Sequence, residues 1–150
     1  LTEAAWLRRF GAKIGIADAT PDDMALSIDF LTRMAEGQAD FTNTFRAMAE
    51  GTARDQFTDP TAFDQWEEGW KARIAGEGDA KQVMRAANPA FIPRNHRVEA
   101  VIAAGKTGDF APFHRLVDAL ANPYSENSEY TDLENAPKPE ERVTQTFCGT

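Results

Sequence analysis

The sequence has few cysteines and no long apolar run, and each shortage excludes a class of protein. Its one cysteine, Cys148, excludes an internal disulfide framework and a metal site built only from cysteines of this chain. It also favours a reducing compartment. The longest apolar run, residues 100–104, is far shorter than the roughly 20 residues of a membrane-spanning helix. The first residues form no signal-type apolar block and include no initiating methionine, so we expect a segment of a longer protein without a membrane span.

Basic residues are also fewer than acidic ones. The chain has 16 Lys and Arg against 24 Asp and Glu, for a net charge of −8 and an isoelectric point near 4.7. Segment 125–150 holds six acidic and two basic residues and so contributes −4, half of this charge. Such acidity repels a phosphate backbone, and no stripe of Lys and Arg with interleaved aromatics offsets the repulsion. We expect no nucleic acid and no membrane among the partners.

The sequence does contain enough apolar material for a folded core. With 150 residues, of which 42% are hydrophobic, we expect one domain. Apolar residues recur at helical spacing almost throughout, and there is neither a long alternating strand pattern nor an internal repeat. This pattern predicts an all-α fold with about six to seven helices. The apolar stripes lie within 6–14, 26–34, 41–48, 63–74, 83–84, 98–102 and 110–120.

Capping residues and helix breakers separate these stripes. We expect N-cap side chains at Thr2, Thr20, Asp79 and either Asp40 or Thr42, because each precedes a stripe and can accept a backbone hydrogen bond. Glycine and Asn-Pro pairs are expected to end the helices. The expected ends lie near Gly15, Gly37, Gly51, Asn88, Gly105 and Asn122.

The carboxyl-terminal segment differs in composition from the rest. Residues 125–142 are polar, acidic and interrupted by Pro137 and Pro139, so we expect a mobile strap that buries little apolar surface. The segment nevertheless ends with apolar residues, among them Phe147 and Cys148. We therefore divide the chain into a helical domain, residues 1–124, and an irregular acidic tail, residues 125–150.

The titratable residues form no pattern that requires catalysis. Asp22 and Asp23 are interpreted as helix-start residues rather than a general acid and base, because a helix N-terminus favours negative charge. His96 and His114 are 18 positions apart and have no second ligand at matched spacing, so a metal role is disfavoured. Residues 76–78 predict a turn rather than a phosphate loop, since they follow a helix and lack a following lysine.

Three features of the sequence allow two interpretations each. The run 88–97 combines two prolines, amides and guanidinium groups, and it indicates either a contact site for an anion or a protein, or a structural corner, which we favour. Phe63, Trp66 and Trp70 lie on one helix face and could stack on a ligand, but such a stripe is more typical of a core. Cys148 is either a small buried apolar residue or an accessible thiol open to exchange and oxidation.

Several segments together resemble the selenoprotein O family of protein adenylyltransferases, which is also described as a family of pseudokinases. The run N-P-x-x-x-x-R-N at residues 88–95 and the ending T-F-C-G-T at residues 146–150 are the most specific. The remaining matches are residues 13–16, 40–46, the Trp66 and Trp70 pair, 108–110 and 122–124.

The resemblance implies that this chain is only the carboxyl-terminal helical part of a protein about three times longer. Complete members have a kinase-like fold, bind ATP with Mg²⁺ or Mn²⁺, and transfer AMP to hydroxyl side chains of proteins. The family's catalytic and metal-binding residues map to no position here, so we expect no catalytic, cofactor-binding or metal-binding residue in this chain. Its implied partners are the amino-terminal kinase-like part and the protein substrates, in the cytoplasm of a bacterial-type host.

One functional position of the family does map to this chain. The resemblance places Cys148, the third residue from the end, where some members have selenocysteine and others cysteine. It implies a redox-sensitive residue, whose disulfide partner must lie outside this chain. Two alternatives stay open: a free-standing helical module that binds proteins without catalysis, and, less favoured, a small enzyme with a cysteine nucleophile.

Overall fold

The computed structural model describes residues 2–143, which form helices joined by short turns, without a β-strand in this range. The predicted all-α fold is confirmed. Within the described range there are eight α-helices, one more than the upper predicted number, because a four-residue helix forms in the acidic tail. The helices are α1 (Glu3–Lys13), α2 (Met24–Glu36), α3 (Phe41–Glu50), α4 (Thr61–Ile74), α5 (Ala80–Ala87), α6 (Asn95–Lys106), α7 (Ala111–Ala121) and α8 (Thr131–Glu134).

The predicted capping residues account for several helix starts. The Thr2 hydroxyl accepts a hydrogen bond from the Ala5 amide, and the Asp79 carboxylate caps α5 at 3.0 Å. Of the two candidates for α3, Asp40 is the cap, because its carboxylate accepts from the Asn43 amide at 2.9 Å. Each cap pairs an N–H group that the helix itself leaves unsatisfied.

The contacts divide the chain into two compact units, Leu1–Pro89 and Ala90–Thr150. Helices α1 to α5 belong to the first unit and α6 to α8 to the second. This division falls inside the helical domain that the sequence suggested, so a domain boundary after residue 124 stays a prediction.

Aromatic rings fill the core of the first unit. Phe30 of α2 is fully buried and stacks on Trp66 of α4, with ring centroids 4.1 Å apart. It also meets Phe45 of α3 edge to face at 5.4 Å. The indole N–H groups of Trp66 and Trp70 donate to the carbonyls of Leu26 and Ile14, at 2.9 and 2.7 Å. Because these polar tips are paired, both tryptophans bury their rings without leaving a donor unsatisfied.

A smaller apolar cluster forms the core of the second unit. Its buried members are Ala90, Phe91, Leu116, Ala119 and Leu133, which come from the segment before α6, from α7 and from α8. The amides of Ala90 and Phe91 both donate to one carbonyl in the turn after α7, that of Pro123, at 2.7 and 3.1 Å. These two bonds hold the start of the unit against the end of α7.

Part of the acidic tail is packed, although its composition suggested a mobile strap that buries little apolar surface; the mobility stays a prediction. Ser128–Tyr130 form a 3₁₀ turn that leads into α8, and Leu133 is buried in the cluster of the second unit. Tyr130 meets Phe91 edge to face at 6.1 Å. Two apolar residues three positions apart lie on one face of a helical turn, and that is enough to anchor a short segment that is otherwise polar.

No helix in the part of the chain that the structure describes is both long enough and apolar enough to cross a membrane.

Candidate functional site

Three of the motif segments meet at the carboxyl-terminal end of α5, around the side chain of Asn88. The Asn88 amide group donates to the carbonyl of Lys13 at 2.8 Å, and its Oδ1 accepts from Lys13 Nζ at 3.1 Å. Arg46 Nη1 donates to the carbonyl of Asn88 at 3.1 Å. Asn88 is almost completely buried, with 1% of its surface exposed. We call this cluster of Lys13, Arg46 and Asn88 the α5 corner.

The two cations of the α5 corner face the negative end of a helix. The last carbonyls of α5 have no partner within the helix, and Lys13 Nζ and Arg46 Nη1 each donate to one of them, those of Ala87 and Arg85, both at 3.4 Å. Burial lowers the pKa of Lys13. Its ammonium also lies 5.3 Å from the ring centre of Phe45, at cation–π distance.

The α5 corner therefore has a structural explanation. Lys13 Nζ and Arg46 Nη1 donate to main-chain carbonyls, Lys13 Nζ also donates to Asn88 Oδ1, and the buried amide of Asn88 is bonded on both sides. These contacts agree with the structural corner that we favoured for the start of the run 88–97. The end of that run, with the buried Arg94, lies in the second unit.

Asp23 is at the centre of a second polar cluster in the first unit. It is the residue of the Asp22 and Asp23 pair that is buried, and its carboxylate accepts from the Thr20 amide at 2.8 Å, as expected of a helix-start residue. It also accepts two bonds from Arg73 of α4, at 2.6 and 3.2 Å. The same guanidinium donates to Glu77 at 2.9 Å. Arg73 thus links the start of α2 to the turn after α4.

Opposing effects set the pKa of Asp23. Burial acts to raise it, whereas hydrogen bonds from Arg73 and Thr20 and the positive charge of Arg73 lower it. The lowering effects prevail, so the pKa of Asp23 lies below its usual value of 3.8. The carboxylate is ionised at neutral pH and is not poised as a general acid.

The aromatic stripe of α4 is core, as its spacing indicated. Phe63, Trp66 and Trp70 are 3, 2 and 7% exposed, so none offers a ring to a ligand at the surface. On the outer side of the same helix, Glu67 pairs with Lys71 at 2.9 Å. That pair fits a solvated helix face and is worth only a few tenths of a kcal/mol.

In the second unit, two arginines bind residues 129–132 of the acidic tail. Arg115 of α7 forms a two-pronged ion pair with Asp132 of α8 and also donates to the carbonyl of Glu129 at 2.6 Å. Arg97 of α6 donates to the Asp132 carbonyl, also at 2.6 Å. The hydrogen bond and charge of Arg115 lower the pKa of Asp132. These groups are largely engaged with one another and with the main chain.

Neither histidine lies in a recognisable metal site. His96 is next to Arg97 at the start of α6. Burial and the positive charge of Arg97 lower its pKa, Glu141 acts to raise it, and Arg94 adds a smaller lowering effect. His114 meets the ring of Phe113 edge to face at 5.5 Å. Among residues 2–143, no three His, Cys, Asp or Glu side chains are grouped as metal ligands. The expectation that this chain holds no metal or cofactor stays a prediction.

The predicted redox residue, Cys148, lies outside the described residues. What sequence reasoning missed are the pairs between distant positions, Asp23 with Arg73 and Arg115 with Asp132. The first pair is 50 positions apart and the second 17, and no local spacing rule relates charges at such separations.

Comparison with known proteins confirms the resemblance that the motifs indicated. The chain is 53% identical over its whole length to the protein nucleotidyltransferase YdiU of Ruegeria sp. (strain TM1040), and 55% identical to that of Ruegeria pomeroyi. A protein of the same name from Rhodopseudomonas palustris is 48% identical over 98% of the chain. The YdiU proteins are the selenoprotein O-like family. No family model matches the chain.

The chain spans about a third of the length of these relatives, 32% in each of the three.

Proposed function

We propose that this chain, which is related along its whole length to the YdiU protein nucleotidyltransferases, is the carboxyl-terminal helical part of a protein adenylyltransferase. The observation that carries the proposal is the 53–55% identity, over all 150 residues, to proteins named protein nucleotidyltransferase YdiU. The parent protein transfers AMP from ATP, with Mg²⁺ or Mn²⁺, to Ser, Thr or Tyr hydroxyls of other proteins. Its cellular location is the cytoplasm.

In this proposal the reacting groups lie in the part of the parent outside these 150 residues. AMP transfer requires donors that position the phosphates and a metal ion that stabilises developing charge. The described residues fit neither a metal ion nor a set of phosphate-binding donors. Their carboxylates are not grouped as metal ligands, and their arginines and lysines mostly pair with carboxylates or main-chain carbonyls. We derive no catalytic step from them, and we assign the chain a packing role.

Cys148 is the one residue of the chain to which we assign a chemical function. We propose that its thiol is redox-sensitive and pairs with a cysteine elsewhere in the parent, since the chain has no second cysteine.

Assaying the parent and the excised chain side by side tests the proposal. Each is incubated with ATP labelled in the α-phosphate, with Mg²⁺ or Mn²⁺, and with candidate protein acceptors. We expect label on protein with the parent and none with residues 1–150, whose folding is verified by circular dichroism. Absence of transfer by the parent, or transfer by residues 1–150 alone, contradicts the proposal.

The alternative, a free-standing helical interaction module, is distinguished by the encoding reading frame. A frame that continues upstream into kinase-like sequence favours the adenylyltransferase. A start codon directly before Leu1 favours the module.

A further inference from the structure

The second unit exposes an apolar surface that its own core does not use. Ile102 of α6 and Phe110, Phe113 and Val117 at α7 are 46, 58, 48 and 47% exposed. We call these four residues the α6–α7 apolar face. Single exposed apolar residues are common, but four large ones on two adjacent helices form a patch that usually marks an interaction site.

Helical register separates this face from the core of the unit. In α7, Leu116 and Ala119 are buried in the apolar cluster, whereas Phe113 and Val117, four positions apart, share a neighbouring exposed stripe. Helix α7 therefore has more apolar surface than it buries within this unit. A helix that packs on one side only needs a single apolar stripe.

The face extends from α7 onto α6. A methyl group placed on Gly105 of α6 would lie 3.7 Å from the Phe110 ring, so this ring lies against α6 although Phe110 precedes α7. Exposed charged or polar residues flank the apolar residues on both helices. An apolar centre with a polar rim is the usual composition of a protein interface. The flanking residues are Glu99, Lys106, Asp109, His114 and Asp118.

The length of the relatives indicates what covers this face. Because the chain spans 32% of the relatives, about two-thirds of each protein lies outside it. A surface on the same polypeptide is present at high effective concentration. If it fits the α6–α7 apolar face as well as a second copy of the chain does, it occupies the face in preference to that copy. The aromatic stripe of α4 is not available for this contact, because its rings are buried within the first unit.

We propose that the α6–α7 apolar face packs against apolar side chains in the part of the same polypeptide that lies outside residues 1–150. The inference rests on the proposed function, because it requires that the chain be part of a larger protein. It assigns the contact between the helical part and the remainder of the parent to Ile102, Phe110, Phe113 and Val117.

Photo-crosslinking in the full-length parent tests the assignment. A benzophenone amino acid replaces Phe113 in one variant and Val117 in another, both at exposed positions where an aromatic ring disturbs no core. Lys71, on the exposed side of α4, carries the same probe in the matched control. After irradiation, mass spectrometry identifies the linked peptides in a mixture of isotopically labelled and unlabelled protein.

We expect the probes at 113 and 117 to link, several-fold more than the probe at 71, to peptides of the same molecule outside residues 1–150. Links to residues within 1–150, links between labelled and unlabelled copies, links to another protein, or yields equal to the control overturn the proposal.

Assaying AMP transfer with the same preparations separates the two proposals. A parent that transfers AMP but gives none of the expected links refutes the docking assignment alone. A parent that gives the expected links but transfers no AMP refutes the proposed activity alone.

Discussion

Asp23 shows how one side chain combines a local and a distant role. The residue helps to start α2, and its pairing with Arg73 ties that start to α4. Its carboxylate is buried, so the ionised form depends on the donors of Thr20 and Arg73 for the hydrogen bonds that water would otherwise supply. The local role is visible in the sequence, whereas the pairing with Arg73 is not.

Replacing Asp23 with Asn tests this interpretation. At pH 7 we expect the free energy of unfolding to fall by about 1.5–3 kcal/mol, the range for a lost hydrogen bond to a charged group. Because the folded-state pKa of Asp23 is lowered, its contribution is complete above the ordinary value of 3.8 and is lost as the pH falls through the folded-state pKa. Urea denaturation at a series of pH values measures the difference between the two proteins, which should narrow in acid.

The matched control is Asp22→Asn, at the neighbouring exposed carboxylate. It should change the free energy of unfolding by less than about 0.5 kcal/mol, as is usual at an exposed position. Equal effects of the two substitutions at pH 7 would refute a specific role for Asp23.

The helices themselves show which parts of the fold local patterns predict. The spacing of apolar residues predicted the longer helices, and Gly15, Gly37 and Gly51 lie directly at or just after the ends of α1, α2 and α3. The packing of Tyr130 and Leu133 was missed, because Tyr130 contacts Phe91 and Arg115, which are distant in sequence.

Two glycines with opposite requirements provide a test at this scale. Gly15, after α1, has a φ of +87°, and a Cβ there would lie 3.0 Å from the Cβ of Ala80, at the start of α5. Gly69, inside α4, has a negative φ, and a Cβ there would meet nothing within 4 Å. We expect Gly15→Ala to destabilise the fold by about 1–3 kcal/mol, through left-handed strain and close contact. Gly69→Ala should instead stabilise it by about 0.5–1 kcal/mol, because alanine favours the helix.

Thermal unfolding of the two variants beside the parent sequence measures both effects. A melting temperature of Gly15→Ala equal to or above that of the unmodified chain would show that the conformation of Gly15 does not limit stability. A lower melting temperature of Gly69→Ala would refute the expected gain at that position.

At the scale of the whole molecule, the chain spans about a third of the length of its relatives, and in our proposal the chemistry of Cys148 depends on the part of the parent outside these residues. If its thiol pairs with a distant cysteine, each disulfide formed releases two protons and passes two electrons to the oxidant. Oxidised glutathione can accept them. Its reduction to two molecules of glutathione balances the step.

Replacing Cys148 with Ser in the full-length parent tests this role. Treatment with oxidised glutathione should lower the number of free thiols by two in the unmodified parent and should not form this disulfide in the variant, as thiol titration and non-reducing electrophoresis measure. Thermal unfolding of the reduced variant should remain nearly unchanged, because the role is chemical rather than structural. A large loss of stability would instead identify Cys148 as a core residue, and an unchanged thiol count in the oxidised parent would refute the disulfide.

The sequence alone was sufficient to predict an all-α chain, most of its helices and its similarity to the YdiU proteins, because helical spacing, capping residues and short motifs are local features that can be recognised without knowledge of packing. Tertiary structure alone decided which apolar stripes are buried. It buries the α4 stripe around Phe30 and leaves the α6–α7 apolar face exposed, although both have helical spacing. It likewise decided that Asp23 pairs with Arg73 and Asp132 with Arg115. The reason is physical: burial and ion pairing depend on distances between residues far apart in the chain, and periodicity along one helix does not encode those distances.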